Sequence, residues 1–434
     1  MPRVLPFAGL RYAQTDLETL ISPPYDVISP DEQRQLEQQS AYNAVHLELP
    51  ADAADRPGSR YMEAARRVRE WQASRVLQSE QRPAYYLSET SFTYRGAQFR
   101  RRDLLAALGV EPWSAGAVLP HEHTMAGPKQ DRLELLRSTH LNASPIWVLY
   151  REPVAALDQA WVEAEDRPPA MDVTWRGEQH RVWVVDDQQV VEHIRAAFEQ
   201  GGPLYIADGH HRYETSLAFR AEADGRVPGA EATLAAVTWA DDPGLLVLPT
   251  HRLLRAPGSA FSIEEAQTRW SGAFHLEYLP VWDDAPAEQV DALVQQLASS
   301  GRAGPAFGVF GLGRTDVFGL LSLRGGTPPP GALPPDRSEA WKSLDVSVLH
   351  TLLVDPLLDQ IGRPRTDVLS YTRDPHAALA AVRRGEAWVA FLLNATPVRS
   401  VLAVADAHDR MPEKSTYFYP KPPAGMVFRH LDDR

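Results

Sequence analysis

The chain contains no cysteine. Disulfides, thiolate metal ligands and cysteine nucleophiles are therefore excluded. Positive charge is also scarce: 44 Lys and Arg against 57 Asp and Glu leave a formal net charge of −13. Nucleic-acid and anionic-membrane surfaces need a basic footprint, so the balance argues against both as partners, while a local basic pocket remains compatible. No apolar run approaches the length of a membrane span, and the N-terminus has no basic–apolar–cleavage leader pattern. The expectation is a cytoplasmic protein with no membrane partner. Two further absences matter: there is no glycine fingerprint for a dinucleotide, and no internal repeat.

What is present is ordinary globular material, 44% hydrophobic and 23% charged, and 434 residues suit two domains better than one. The most informative stretch is residues 203–220, PLYIADGHHRYETSLAFR. Leu204-Tyr205-Ile206-Ala207 is an apolar run of buried-strand type, and Glu214 to Arg220 has helix-forming composition. Between them Asp208-Gly209-His210-His211-Arg212 collects an acid, a hinge glycine, two imidazoles and a guanidinium. A strand that breaks at glycine and re-enters as a helix turns helix N–H groups outward, which favours an anion. Arg212 adds a fork of donors shaped for phosphate or carboxylate. The stretch reads as a phosphate site with acid/base or metal-binding groups built in. The alternative is a buried turn in which Asp208 caps the helix and the histidines pack.

Earlier in the chain, Ser22-Pro23-Pro24 stiffens the backbone ahead of Tyr25 and Asp26, which suits either a pocket edge or a capped turn. Ser29-Pro30-Asp31-Glu32 opens a helix. Alternation in Asn43–Pro50 reads as a strand, with His46 and Glu48 facing a site or solvent. Residues 58–78 read as an amphipathic helix, and Ala84–Leu87 and Gln98–Val110 as strands around a turn at Arg95-Gly96. In so acidic a chain the triplet Arg100-Arg101-Arg102 reads as local surface. A strand is expected over 142–150, a loop over 164–172, a strand over 181–185 and a helix over 190–200. Residues 232–240 read as a buried strand, with 245–248 returning as the second arm of a hairpin. That return would deliver His251 and Arg252 to the same pocket.

In His121-Glu122-His123-Thr124 the histidines lack the one-turn spacing of a helical metal motif. On an extended segment His121 and His123 share one face, and Glu122 and Thr124 the other. Lys129 and Arg132 follow, either as charge against phosphates or as exposed side chains. Beyond residue 256 the pattern changes. Helices are expected over 261–270, 287–299, 344–360 and 375–384, and strands over 306–311, 317–323 and 387–393. A proline- and glycine-rich loop fills 325–337. The tail MPEKSTYFYPK (411–421) has strand character, and its Lys-Ser-Thr lacks the glycine frame of a P-loop. Lys414 and Lys421 are read as side chains that close over the pocket, the alternative being a terminal strand at a sheet edge.

The box YIADGHHRYETS resembles that of the ParB/sulfiredoxin-like fold, in particular the DGHHR box of its free L-serine kinases. His210 stands where sulfiredoxin carries a cysteine, so that chemistry is excluded. SPPYDVIS (22–29), NAVHLELP (43–50), HEHTMAGPKQDRLELLR (121–137), LPTHR (248–252) and MPEKSTYFYPK (411–421) resemble signatures of the DUF1015 family. The resemblance implies an α+β fold: a ParB/sulfiredoxin-like nucleotide-binding catalytic region with an elaborated mixed sheet over 1–255, and a C-terminal α/β region over 256–434 whose tail returns to the site. It implies a nucleotide-dependent phosphotransferase acting on a small hydroxyl such as serine or a related amino acid, with ATP or ADP and Mg²⁺. Gly209, His210, His211, Arg212 and Lys129 would hold phosphates, and Glu122 would act as general base. Asp208 would position Mg²⁺ or a substrate ammonium, completing a catalytic set with His210 and His211. Tyr25, Asp26, His121, His123, Thr124, His251, Arg252, Lys414 and Lys421 would line the pocket, with Glu122, His210 and His251 meeting there. A phosphatase or other hydrolase using the same pocket, and a nucleotide-sensing regulator without turnover, are the alternatives.

Overall fold

Ala232–Trp239 is buried along almost its whole length and has a hydrogen-bonded neighbour on each edge, as befits an interior strand of a sheet with both faces covered. In the computed structural model, which describes residues 1–14, 16–52, 56, 58–124, 126–255, 262–282 and 287–432, it lies at the centre of a nine-stranded sheet. The strands are β1 (Val4–Leu5), β2 (Tyr85–Tyr94), β3 (Ala97–Gly109), β4 (Val118–Leu119), β5 (Ile146–Tyr150), β6 (Met171–Trp175), β7 (Glu178–Val185), β8 (Leu204–Asp208) and β9 (Ala232–Trp239). Their order is β4-β8-β5-β9-β3-β2-β7-β6, with β1 on the end of β3. β4–β8 and β5–β9 are parallel and the other neighbours antiparallel, so the sheet is mixed and the fold is α+β.

This sheet belongs to one compact unit, Met1–Leu246 together with Pro420–Arg434. Its helices include α1 (Pro30–Gln39), α2 (Val45–Glu48), α3 (Arg60–Ala73), α4 (Ala126–Thr139), α5 (Ala155–Glu165), α6 (Gln188–Gln200) and α7 (His210–Ala223). Helix α1 starts on a reciprocal capping box between Ser29 and Glu32, with Pro30 at its first position. The β2–β3 hairpin turns on Arg95 and Gly96, both at positive φ, the conformation a tight two-residue turn requires. Leu157, Trp161, Ile194, Phe198 and Tyr213 from α5, α6 and α7 join strand residues such as Val148, Ile206 and Val237 in one core.

The C-terminal segment is stitched into this unit by backbone pairs between Ser22 and Ala424 and between Leu10 and Phe428. Arg429 is buried there and donates to the carbonyls of Ala232 and Gly229. The second unit, Val247–Tyr419, holds an antiparallel sheet of six strands: β10 (His251–Leu254), β11 (Phe274–Pro280), β12 (Ala306–Gly311), β13 (Arg314–Leu323), β14 (Leu369–Thr372) and β15 (Val389–Leu393). Their order is β11-β13-β12-β15-β10-β14. The long apolar helix expected over 344–360 appears as Asp345–Ile361, with a wider π turn at His350–Val354. Among the described residues no helix is long and apolar enough to cross a membrane.

Three local expectations are corrected. Residues 43–50 carry the one-turn helix α2 rather than a strand, because Asn43 Oδ1 accepts the Val45 N–H and folds the chain back on itself. Residues 245–248 do not return as a hairpin arm against β9, whose two edges are taken by β3 and β5; Leu248 N–H instead donates to the Tyr417 carbonyl. Arg101 is not surface: it is fully buried beside Asp103. The division expected after residue 255 abuts residues 256–261, which lie outside the described residues, as do Phe261 at the start of an expected helix and Met125 after HEHT.

Candidate functional site

The strand, glycine and helix read from 203–220 are present as β8, Gly209 and α7, with the helix starting at His210. His210, His211 and Arg212 therefore occupy the first turn of α7 rather than a loop before it. Gly209 has φ +90 and precedes the helix with no capping side chain. A Cβ there would lie 3.0 Å from Ile146 Cγ2 and 3.1 Å from Arg212 Nη2, so both the conformation and the space call for glycine.

Arg212 closes this turn. Its Nη2 donates to Asp208 Oδ2 at 2.8 Å, and its Nη1 to Ser144 Oγ at 2.8 Å and the Pro145 carbonyl at 2.5 Å. Its Nε is buried and has no hydrogen-bond partner among the described residues. Arg212 also lines a cavity of about 50 Å³ with Glu48, Arg132, Ser144 and Thr215. Asp208 Oδ1 faces Lys421 Nζ at 2.6 Å, and the same ammonium binds Asp26. Burial alone would raise the Asp208 carboxyl, but the charges of Lys421 and Arg212 outweigh it and hold the pKa at about 2. Burial would lower the Lys421 ammonium, yet Asp208 and Asp26 push it above its ordinary value.

The other arm of the site is the 22–26 loop. Tyr25 N–H donates to Glu48 Oε1 at 3.1 Å, which also accepts from Ser144 Oγ at 2.7 Å. Arg132 lies over the Tyr25 ring at 4.3 Å and donates to the Glu48 carbonyl. Glu48 is thus a buried acid joining the Tyr25 loop to the Ser144 loop that Arg212 grips.

The HEHT segment runs along the same turn. His121 is buried, and its Nδ1 donates to the Ile206 carbonyl at 2.7 Å. Its backbone N–H donates to His210 Nε2 at 3.3 Å, and the two rings meet edge to face at 4.7 Å. Glu122 Oε1 lies 3.9 Å from His121 Nε2, with 29% of its side chain exposed, while His123 is exposed. Thr124 and Lys129 both donate to Glu214 Oε2, at 2.6 and 2.9 Å, and Trp113 Nε1 donates to Glu214 Oε1 at 3.2 Å. Burial would raise Glu214, but these donors lower it.

The first unit therefore brings together Tyr25, Asp26, His121, Glu122, Thr124, Lys129, Asp208, Gly209, His210, His211, Arg212 and Lys421. His251, Arg252 and Lys414 belong to the second unit. There His251 is buried in β10 and accepts the Leu393 N–H at Nδ1. Arg252 is buried too: Nε donates to His350 Nε2, and Nη2 to the carbonyls of Glu413 and Lys414. The Lys414 side chain is exposed.

Ser144 and Glu214 were not singled out by the sequence reading, and Glu48 was read there only as facing a site or solvent. One available signal was composition: the chain has only four lysines, and Lys129, Lys414 and Lys421 all fall in its motif stretches. Among the described residues no three His, Asp or Glu side chains cluster as a metal site. Both oxygens of Asp208 face cations, so a metal ion on this carboxylate would have to share or displace Lys421 or Arg212.

The arrangement is that of an α+β protein with a strand–glycine–helix turn ringed by carboxylates and imidazoles. The chain belongs to the DUF1015 family, described as a protein of unknown function, whose model matches residues 4–347. No curated protein matches it. Among solved structures, a conserved hypothetical protein from Pyrococcus furiosus is 13% identical, covering 76% of this chain and 97% of its own, with a TM-score of 0.36. A free serine kinase in complex with AMP is 12% identical, covering 76% and 92%, with a TM-score of 0.37. SbnI with a C-terminal truncation, from Staphylococcus aureus, is 11% identical, covering 75% and 81%, with a TM-score of 0.32.

Proposed function

We propose that this site transfers a phosphoryl group from ATP or ADP to the hydroxyl of a small amino-acid-like substrate, serine or a relative of it. The observation that carries the reading is the turn itself. An uncapped helix start after a left-handed glycine has Arg212 folded beneath it and Lys421 brought to its acid. Such a turn accepts phosphate oxygens through helix N–H groups and nearby cations. The DGHHR sequence, shared in kind with the free L-serine kinases, points the same way.

Phosphoryl transfer is mainly positioning and charge stabilisation. The first turn of α7, with His210 and His211, would hold phosphates, and Lys421 would offset charge as it develops. Arg212 keeps the Asp208 carboxylate, Gly209 and the Ser144 loop in register. Glu122, partly exposed beside His121, would take the hydroxyl proton. Magnesium, when bound, would neutralise phosphate charge, with Asp26 or Asp208 as its carboxylate ligand; such ions are commonly held by one or two carboxylates plus phosphates.

The test is incubation of the full chain with ATP or ADP, Mg²⁺ and a pool of hydroxy amino acids, followed by mass spectrometry for phosphorylated product. Appearance of one phospho-amino acid is the expected result. Release of inorganic phosphate alone would make the protein a hydrolase, and binding without turnover would make it a sensor.

A further inference from the structure

Behind the contact between Lys421 and Asp208 lies a buried polar chain that the proposed chemistry does not use. Arg101 and Asp103 point to the same side of β3, two residues apart, and both are buried. Arg101 Nε lies 3.0 Å from both Asp103 oxygens. Asp103 accepts from Thr238 Oγ1 at 2.5 Å, and Thr238 accepts from Trp147 Nε1 at 2.7 Å. The Arg101 guanidinium sits over the Trp147 ring at 4.3 Å. Its remaining arm, Nη1, donates to the Pro420 carbonyl, the residue immediately before Lys421. Trp147 pairs with Asp208 across β5 and β8. The contacts thus form a closed circuit: Asp208, Trp147, Thr238, Asp103, Arg101, Pro420, Lys421 and back to Asp208.

The circuit is braced from outside. The Asp241-Asp242-Pro243-Gly244 turn lies against β3, where a Cβ on Gly244 would come within 2.4 Å of the Arg100 carbonyl and 2.5 Å of the Arg101 nitrogen. Asp242 Oδ2 accepts the Arg102 N–H. Burying a guanidinium and a carboxylate is costly, and apolar residues of similar volume would stabilise a fold as well or better. Here the pair holds a backbone carbonyl from the far end of the chain.

We infer that Arg101 is a positioning residue: its buried pairing with Asp103 fixes the Pro420 carbonyl and so sets the Lys421 ammonium between Asp26 and Asp208. Lys421 then faces Asp26 and Asp208 as its charged neighbours, with Arg212 on the other oxygen of Asp208. The inference rests on the reading of the Asp208 turn as the reacting site, but its test does not require turnover.

The chain's four lysines make the test clean. The full chain is treated with an amine-acylating reagent, and the rate at each lysine is followed by mass spectrometry as a function of pH. In the wild type, Lys421 should react more slowly than exposed Lys414, with a midpoint at higher pH. The double variant Arg101→Met/Asp103→Leu removes both charges at similar volume and should still fold. In it, the rate at Lys421 relative to Lys414 should rise at least about tenfold, and its midpoint should fall toward that of Lys414, one pH unit corresponding to tenfold in free amine. Arg101→Lys keeps the charge but not the fork that reaches both Asp103 and Pro420, and should show the same change. A folded double variant in which Lys421 stays as slow as in the wild type would overturn the inference, since the carboxylates alone would then hold the lysine. Loss of kinase activity in the proposed assay, with this labelling pattern intact, would count against the function and not against the positioning.

Discussion

Lys421 Nζ lies 2.6 Å from Asp208 Oδ1 and also binds Asp26, so a lysine near the C-terminus joins two acids from separate parts of the first unit. Lys421→Met should therefore remove the ammonium that Asp208 and Asp26 share, leaving Arg212 on the other oxygen of Asp208. The account expects nucleotide-dependent turnover to fall by at least about tenfold. The pH dependence of stability should shift as well: acid denaturation should begin at higher pH than in the wild type, because the Asp208 carboxyl loses its main stabilising charge. Turnover assays and urea melts at stepped pH check both.

Arg212→Ala should be damaging in two ways. Asp208, Ser144 and Pro145 lose their common donor, and breaking a buried ion pair typically costs about 3–5 kcal/mol. Nucleotide affinity should also fall, because Arg212 keeps Asp208 and the Ser144 loop in register around the helix start that would receive the phosphates. Urea unfolding measures the first, and calorimetric titration with ADP under conditions where the variant is folded measures the second.

Gly209→Ala tests the turn without touching charge. The new methyl would sit at φ +90, against Ile146 and Arg212, and strain of this kind costs about 1–3 kcal/mol. Loss of both stability and nucleotide affinity is expected from thermal melts with and without ADP. Wild-type stability in this variant would mean that the turn relaxes freely.

Two aspartates give the stability curve opposite slopes. Asp208 is depressed to about 2, below its ordinary 3.8, so its contribution is full above pH 3.8 and is lost as pH falls through 2. Asp242 is pushed up by burial to about 6, so the folded chain binds the extra proton, and this group's contribution declines as pH rises from 3.8 through 6. Asp242→Asn should remove that decline, at the expense of one of the two backbone N–H bonds the carboxylate now accepts from Gly244 and Arg102. Urea midpoints measured every half unit between pH 4 and 7 read the difference in slope.

The central turn was legible because its information is local. An apolar run, a glycine and a helical pattern lie within eighteen residues, and each has its own physical signature. Glu48 was harder to read. Alternation over five residues fits a strand and a one-turn helix equally, and only the Asn43 side chain, bonding two residues ahead, decides between them. Arg101 was misread because a run of three arginines suggests solvent. The better signal was Arg-x-Asp beside the apolar Leu104 to Leu108, which places opposite charges on one side of a strand entering the core. Lys421 could not be placed on Asp208 by any local pattern, since the contact depends on backbone pairs from Ser22 to Ala424 and from Leu10 to Phe428.

The most direct test of the central claim pairs two readouts on Glu122→Gln. This substitution keeps shape and hydrogen bonding at a partly exposed position and removes only the proton-accepting carboxylate. Calorimetry with ADP or ATP measures affinity, and the phosphoryl-transfer assay on the same samples measures turnover. A general base contributes on the order of 10²–10⁴-fold in rate and need not touch the nucleotide. The account predicts turnover reduced by that order with affinity within a few-fold of wild type. Wild-type turnover in Glu122→Gln would contradict it, and the base would have to be sought elsewhere, with Asp26 and His123 next.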